Sequence, residues 1–217
     1  MPAFVIIPLV FVGAYLVGSI PFGLIAGFLV KGVDIREHGS RNIGATNAAR
    51  VLGAKWFPVV LLLDALKGLI PTAAMWPLSA ELDLMLVAAC GAIVGHLFPV
   101  YLKFRGGKGV ATGLGVMLAL THTPETWLPL PAFCALGVFA VLVGIGRMIS
   151  LASIGAALSL PGWYWFWTQP HTFAGQPWLG RFIFLCACCG FVVFKHRGNI
   201  SRILKGTEPR LGRKAEA

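Results

Sequence analysis

Charge is what this sequence has least of. Asp, Glu, Lys and Arg make up 12% of its 217 residues, about half of the roughly 25% usual in a soluble domain. With 57% hydrophobic residues and a mean hydropathy of +0.80, the chain carries more apolar surface than one water-facing core can bury. Long polar interruptions are also missing. The stretches 4–30, 56–77, 84–101 and 177–194 approach or exceed the roughly 20 residues that a helix needs to cross the hydrocarbon layer. The expected solvent is therefore a bilayer.

Other absences narrow the class. No basic segment precedes the first apolar run, and no small-residue cleavage site followed by a soluble domain comes after it, so that run is expected to stay as the first helix. Cys90, Cys134, Cys186, Cys188 and Cys189 all lie in apolar runs, where a thiol packs as a small hydrophobe. No ligand set with metal spacing surrounds them, and no metal or cofactor is expected. There is no internal repeat and no low-complexity segment. The formal charge of +10 does not point to nucleic acid, because the basic residues sit at the ends of apolar spans, where Lys and Arg set orientation.

Dividing the chain at its polar breaks predicts an all-α integral membrane protein. It is a single polytopic domain over 1–217 with about seven transmembrane helices near 5–30, 56–77, 83–101, 109–121, 129–147, 149–168 and 177–195. The fourth is short enough to read equally as a half-buried or re-entrant segment. One set of loops carries Lys31, Arg36, Arg41, Arg50 and Lys55, then Lys103, Arg105 and Lys108, then Arg147, then the tail 195–214. The opposite set carries Glu81, Asp83, Glu125 and Arg181. By the positive-inside rule the N-terminus is outside and the C-terminus cytoplasmic. The basic segment 206–217 is expected to be a short cytoplasmic tail with a disordered end.

Four inward segments are richer in small hydrogen-bonding residues than linkers require. The first, residues 34–50, holds Ser40, Asn42, Thr46 and Asn47 near Gly39 and Gly44 and ends on Arg50. Such a loop can converge N–H and hydroxyl donors on an anion, with the Arg fork matched to phosphate. The plainer alternative is a tight turn with helix-capping side chains. The second, residues 95–113, sets Lys108 among Gly106, Gly107 and Gly109 before an apolar helix. Glycines allow close backbone approach to a phosphate, and a helix start adds N–H groups. It is not a nucleotide P-loop, because Leu102 and Gly109 stand where that motif needs Gly and Ser or Thr. A basic juxtamembrane anchor explains Lys103 and Arg105 but not three glycines around one lysine.

The third segment carries Ser150 and Ser153, for which helix capping is the simpler role. The fourth, residues 195–208, places His196, Asn199 and Ile203 on one helical face, so that an imidazole, a candidate acid, base or donor, stands beside an amide. A polybasic anchor on anionic lipid accounts for the surrounding charges. Within the second apolar run, Asp64 and Lys67 are intramembrane ionisable groups that can pair with each other. They read as a structural pair that helps orient the inward loops.

These residues closely resemble the bacterial membrane glycerol-3-phosphate acyltransferases of the PlsY type. The resemblance rests on Gly18-Ser19-Ile20-Pro21-Phe22-Gly23, on 34–47, on 95–112, on Ser150-Leu151-Ala152-Ser153, and on His196-Arg197 with Asn199 and Gly206-Thr207-Glu208. Together these motifs span nearly the whole chain. The resemblance implies a seven-helix membrane fold and transfer of an acyl group from acyl phosphate to the 1-hydroxyl of glycerol-3-phosphate. The products would be lysophosphatidate and phosphate, an early step of phospholipid synthesis at the bacterial inner membrane. Arg41 stands where many relatives have Gly, Arg105 replaces a common Lys, and Pro209 interrupts the usual Thr-Glu-Asn-Lys ending.

An acyl phosphate is already activated, so positioning and charge stabilisation suffice without a covalent acyl-enzyme. The expected catalytic residues are Ser40, Lys108, His196 and Asn199. Arg50, Asn42, Thr46, Asn47, Gly106, Gly107, Gly109, Ser150 and Ser153 are expected to bind substrate. The His-x-x-x-x-Asp pair with which other lipid acyltransferases activate a hydroxyl is absent, since Ile43, Tyr101, Trp127, Gln176 and Ser201 stand five places after the five histidines. Expected partners are the two substrates and the bilayer, with no nucleic acid; the oligomeric state is open, a monomer being one option. The rival readings are a transporter of a phosphorylated solute, which would favour midplane sites between repeated halves, and a scaffold on anionic lipid.

Overall fold

The computed structural model describes residues 2–79, 82–122, 128–168 and 178–211. The described residues hold ten α-helices and three short 3-10 turns, and none is in a strand. The chain divides into two compact units, residues 1–120 and 121–217.

The first unit begins with α1 (Ala3–Gly18) and α2 (Phe22–Lys31). The expected first span is thus one 29-residue apolar stretch interrupted at residues 19–21, where Pro21 has no N–H to continue the helical ladder. Gly32, at φ 66°, ends α2 in the left-handed conformation that only glycine adopts without strain. Then follow α3 (Ala45–Leu52), α4 (Trp56–Ala73), α5 (Leu84–Leu97) and α6 (Val110–Leu120). In lipid the apolar effect does not drive helices together, and close backbone approach through small residues does. A β-carbon on Gly91 or Gly95 of α5 would overlap the carbonyl of Phe11 or Tyr15 in α1, and one on Gly18 would strike Ala92. Gly68 of α4 and Gly115 of α6 likewise leave room for the carbonyls of Thr112 and Ala65.

The Asp64–Lys67 pair lies inside this packing. Lys67 Nζ stands 2.7 Å from Asp64 Oδ1, with both side chains almost fully buried. The same ammonium donates to the Ile20 carbonyl at 2.7 Å and lies over the Phe22 ring. The pair is therefore a brace on the α1–α2 break as well as a neutralised charge.

The second unit contains α7 (Leu130–Gly146), α8 (Ile149–Thr168), α9 (Trp178–Lys195) and α10 (Arg197–Leu204). Among the described residues, length and composition mark Ala3–Lys31, Trp56–Leu78 and Leu84–Leu102 as candidate spans, and the pair 179–195 with 197–204, bent by 57°, makes up to four. At 1.5 Å per residue the 11-residue α6 rises only about 16 Å, roughly half of the hydrocarbon layer. The expected tail is ordered at its start, since the Leu211 N–H donates to the Arg147 carbonyl at 2.7 Å. Residues 212–217 at the end of that tail lie outside the described residues.

Candidate active site

The loop before α3 is organised around one buried amide. Ile35, fully buried in a 3-10 turn, packs on a core that includes Leu24, Ala48 and Leu52. Gly23 and Gly27 of α2 have no β-carbon to fend it off. Asn47 Nδ2 donates to the Ile35 carbonyl at 2.7 Å, and its Oδ1 accepts from the Ser40 N–H at 2.7 Å. Asn47, expected as a substrate ligand, thus ties the two halves of the loop and fixes the backbone of Ser40. Asn42 also turns inward, its Oδ1 accepting from the Gly44 N–H at 3.0 Å to close an Asx-type turn ahead of α3.

Ser40 is left exposed on this frame, Thr46 is half-buried in the first turn of α3, and Arg50 is exposed in its last turn. Arg50 Cδ lies 3.8 Å from where a β-carbon on Gly39 would sit, so the guanidinium stem runs alongside the glycine turn. Gly39 and Arg41 both take positive φ, 58° and 57°. Arg41, the residue that stands in place of a common glycine, therefore occupies a backbone conformation suited to glycine. At the loop entrance Asp34 forms a forked pair with Arg36, and that guanidinium holds the Asp34 carboxyl below the usual carboxylate range against a weaker upward effect of burial.

The second loop folds back on the end of α5. Lys103 and Phe104 are consecutive left-handed residues, at φ 51° and 61°. The chain beyond them returns so that Gly106 N–H donates to the Leu97 carbonyl and Gly107 N–H to the His96 carbonyl, each at 3.2 Å. These carbonyls belong to the last turn of α5, which lacks helical donors of its own. The two glycine amides, expected to approach phosphate, are thus committed to α5, and the need for glycine is steric: a β-carbon on Gly106 would overlap both carbonyls. Gly109, at φ 80°, supplies the positive-φ corner from which α6 departs. Lys108, half-buried, is carried between that corner and the docked glycines.

In the second unit the centre is Glu208. Its Oε1 accepts from Ser150 Oγ at 2.6 Å and from Asn199 Nδ2 at 2.7 Å, and its Oε2 accepts from Arg202 Nε at 2.7 Å. Burial raises the carboxyl pKa, but the three donors together outweigh it and hold the group below its ordinary range. Neither serine of the third segment caps its helix: Ser150 serves Glu208, and Ser153 Oγ donates back to the Ile149 carbonyl at 2.8 Å. His196 and Asn199 do not share an unbroken helix, because His196 sits at the break between α9 and α10. Both are buried. His196 Nδ1 lies 2.8 Å from the Val192 carbonyl, and since a carbonyl only accepts, Nδ1 carries a proton. The residue missed in the sequence reading is Glu208, although its place in the Gly-Thr-Glu motif was the available signal. Among the described residues no three His, Cys, Asp or Glu side chains gather as a metal site.

Within the first unit, then, the structure brings Ser40, Asn42, Thr46, Asn47 and Arg50 into one loop and helix, and gathers Gly106, Gly107, Lys108 and Gly109 on the end of α5. Within the second it joins Ser150 to Asn199 through Glu208. The pattern of the glycerol-3-phosphate acyltransferase family matches residues 8–206. A glycerol-3-phosphate acyltransferase of Thermosynechococcus vestitus is 41% identical over 222 residues, covering 98% of each chain. The fold is similar to crystal structures of PlsY (YgiH), an integral membrane glycerol 3-phosphate acyltransferase. Its glycerol 3-phosphate form matches with a TM-score of 0.83 at 35% identity, covering 95% of this chain and 96% of that one. Its lysophosphatidic acid form matches with a TM-score of 0.80 at 34% identity, covering 95% of both. The chain is an integral membrane protein that belongs to the glycerol-3-phosphate acyltransferase family.

Proposed function

We propose that this chain transfers a fatty acyl group from an acyl phosphate to the 1-hydroxyl of glycerol-3-phosphate, at the cytoplasmic face of a bacterial inner membrane. The observation that supports this most is the near-complete fold match to a protein crystallised in glycerol 3-phosphate and lysophosphatidic acid forms. In this reading seven segments cross the bilayer with the N-terminus outside, and the basic loops lie inside.

The hydroxyl oxygen of glycerol-3-phosphate attacks the acyl carbonyl carbon. As that C–O bond forms, the bond to the phosphate oxygen breaks, and phosphate leaves with the electron pair and accepts the hydroxyl proton. No acyl-enzyme is required, because the donor is a mixed anhydride with a good leaving group. The protein's task is orientation and charge neutralisation. Ser40, Thr46 and the turn around Lys108 hold the donor phosphate, with Arg50 and Lys108 balancing its charge. Asn42 and Asn47 act by shaping the loop. His196 and Asn199 orient glycerol-3-phosphate, with Ser150 and Glu208 fixing Asn199 and with Ser153 in the adjoining turn of α8.

The test is formation of lysophosphatidate by detergent-purified protein given glycerol-3-phosphate with acyl phosphate, or with acyl-CoA or acyl-acyl carrier protein as alternative donors, phosphate release being followed as well for acyl phosphate. Product from acyl phosphate alone is expected, and product no greater than from boiled protein with all three donors would end the enzymatic reading. Uptake of substrate into sealed vesicles without product would favour transport. Lys108→Ala and Arg50→Ala are each expected to lower kcat/KM by about a hundredfold or more. Normal turnover in either would remove that cation from the site.

A further inference from the structure

His96 is almost completely buried in the last turn of α5, and none of the roles above uses it. Its Nδ1 lies 3.0 Å from Oγ1 of Thr112, which is fully buried in the first turn of α6. One imidazole therefore links the helix that ends before the glycine turn to the helix that starts after it. The opposite edge of the ring faces the turn. The place a β-carbon on Gly107 would take is occupied by His96 Nε2, and the next nearest atoms are Cε1 at 3.0 Å and Cδ2 at 3.4 Å, of the same ring. The backbone of His96 is engaged as well, its carbonyl accepting from the Gly107 N–H at 3.2 Å.

Such contact on both edges matters because the approach to the turn is strained. Lys103 and Phe104 hold positive φ in succession, and residues with β-carbons persist there only where the surroundings dictate it. The docking of Gly106 and Gly107 on the Leu97 and His96 carbonyls, with the ring beneath Gly107, supplies that constraint. Lys108 follows directly on the docked Gly107.

We propose that His96 is a positioning residue for Lys108: clamped by Thr112, its imidazole is the surface on which the turn at Gly106 and Gly107 is moulded. This rests on the assignment of Lys108 to a substrate phosphate. His96 touches no reacting atom in this role, and its contribution is to the affinity for the phosphate that Lys108 meets.

The experiment is a double-substitution cycle on the purified full-length protein, with kcat and the KM of each phosphate substrate measured separately. Asn is nearly isosteric with the Nδ1 arm of His, so His96→Asn keeps a partner for Thr112 and vacates the volume under Gly107. Gly107→Ala alone is expected to raise one KM by about tenfold or more, and the same alanine in the His96→Asn background by about threefold or less. Equal penalties in the two backgrounds would overturn the proposal. Should Gly107→Ala not fold, Thr112 decides: Thr112→Val is expected to raise the same KM while Thr112→Ser restores it, and equal KM values for the two would overturn it too. Lys108→Ala serves as the separate control. Unchanged KM and kcat there would show that the turn does not meet a substrate phosphate, whatever holds it in shape.

Discussion

Asn199 donates its side-chain amide to Glu208 at 2.7 Å, from the first turn of α10 to a residue just beyond its end. Glu208 is thereby a buried acceptor on which Ser150, Asn199 and Arg202 all converge. Truncation to Glu208→Ala removes the acceptor of the buried Ser150 and Asn199 donors and of the half-exposed Arg202 guanidinium. A hydrogen bond to a charged group is worth about 1.5–3 kcal/mol when buried and less at the exposed arginine. Glu208→Ala is expected to lower both thermal stability and kcat. Glu208→Gln keeps one accepting oxygen and should retain more of each. Thermal unfolding and turnover of the two purified variants measure this, and equal behaviour of Ala and Gln would mean that the network does not hold Asn199.

The same carboxylate predicts an acid limit. The folded Glu208 titrates below its ordinary value of 4.5, so its stabilising contribution is fully present above that pH. The contribution fades as the pH falls through the lower folded value. The stability gap between the wild type and Glu208→Gln is therefore expected to be constant at neutral pH and to close below about pH 4.5. Unfolding midpoints taken from pH 7 downward in the same detergent test this, and a gap that widens on acidification would reverse the assignment.

Much of this was readable from residues alone, for particular reasons. Apolar runs announce bilayer helices because the hydrocarbon layer imposes a length. The glycine turn around Lys108 stood out because three glycines beside one lysine serve no anchor. What the residues concealed was direction. Gly106 and Gly107 offer amides, and only the path of the loop shows those amides returning to α5. Ser150 looked like a cap because its partner is 58 residues away, beyond any local rule. Spacing placed His196 and Asn199 on one helix, whereas the chain turns at His196, by 57° between α9 and α10.

Arg41 offers a stability test that depends on backbone geometry. A residue with a β-carbon at φ 57° carries a cost of about 1–2 kcal/mol that glycine avoids, offset in part by the greater entropy glycine loses on folding. Arg41→Gly is expected to raise the unfolding midpoint by the equivalent of about 1 kcal/mol or less. A lower midpoint would show that the exposed guanidinium stabilises the loop by more than the backbone strain costs.

The brace between α4 and the α1–α2 break separates charge pairing from positioning. Lys67 neutralises Asp64 and also donates to the Ile20 carbonyl, each at 2.7 Å. Removing one partner of a buried pair costs about 3–5 kcal/mol, because the other is left as an uncompensated charge. Lys67→Met alone should therefore destabilise severely in detergent, and adding Asp64→Leu should recover most of that loss. The double variant still leaves Ile20 without its ammonium donor beside Pro21, so the residue break that aims α2 at the Ser40 loop is held less firmly. It should consequently regain stability without regaining activity, with the deficit in KM for a phosphate substrate more than in kcat. If the double variant recovered full kcat/KM along with its unfolding midpoint, the ion pair would be a neutralised charge only, and the contact with Ile20 would have no bearing on the loop.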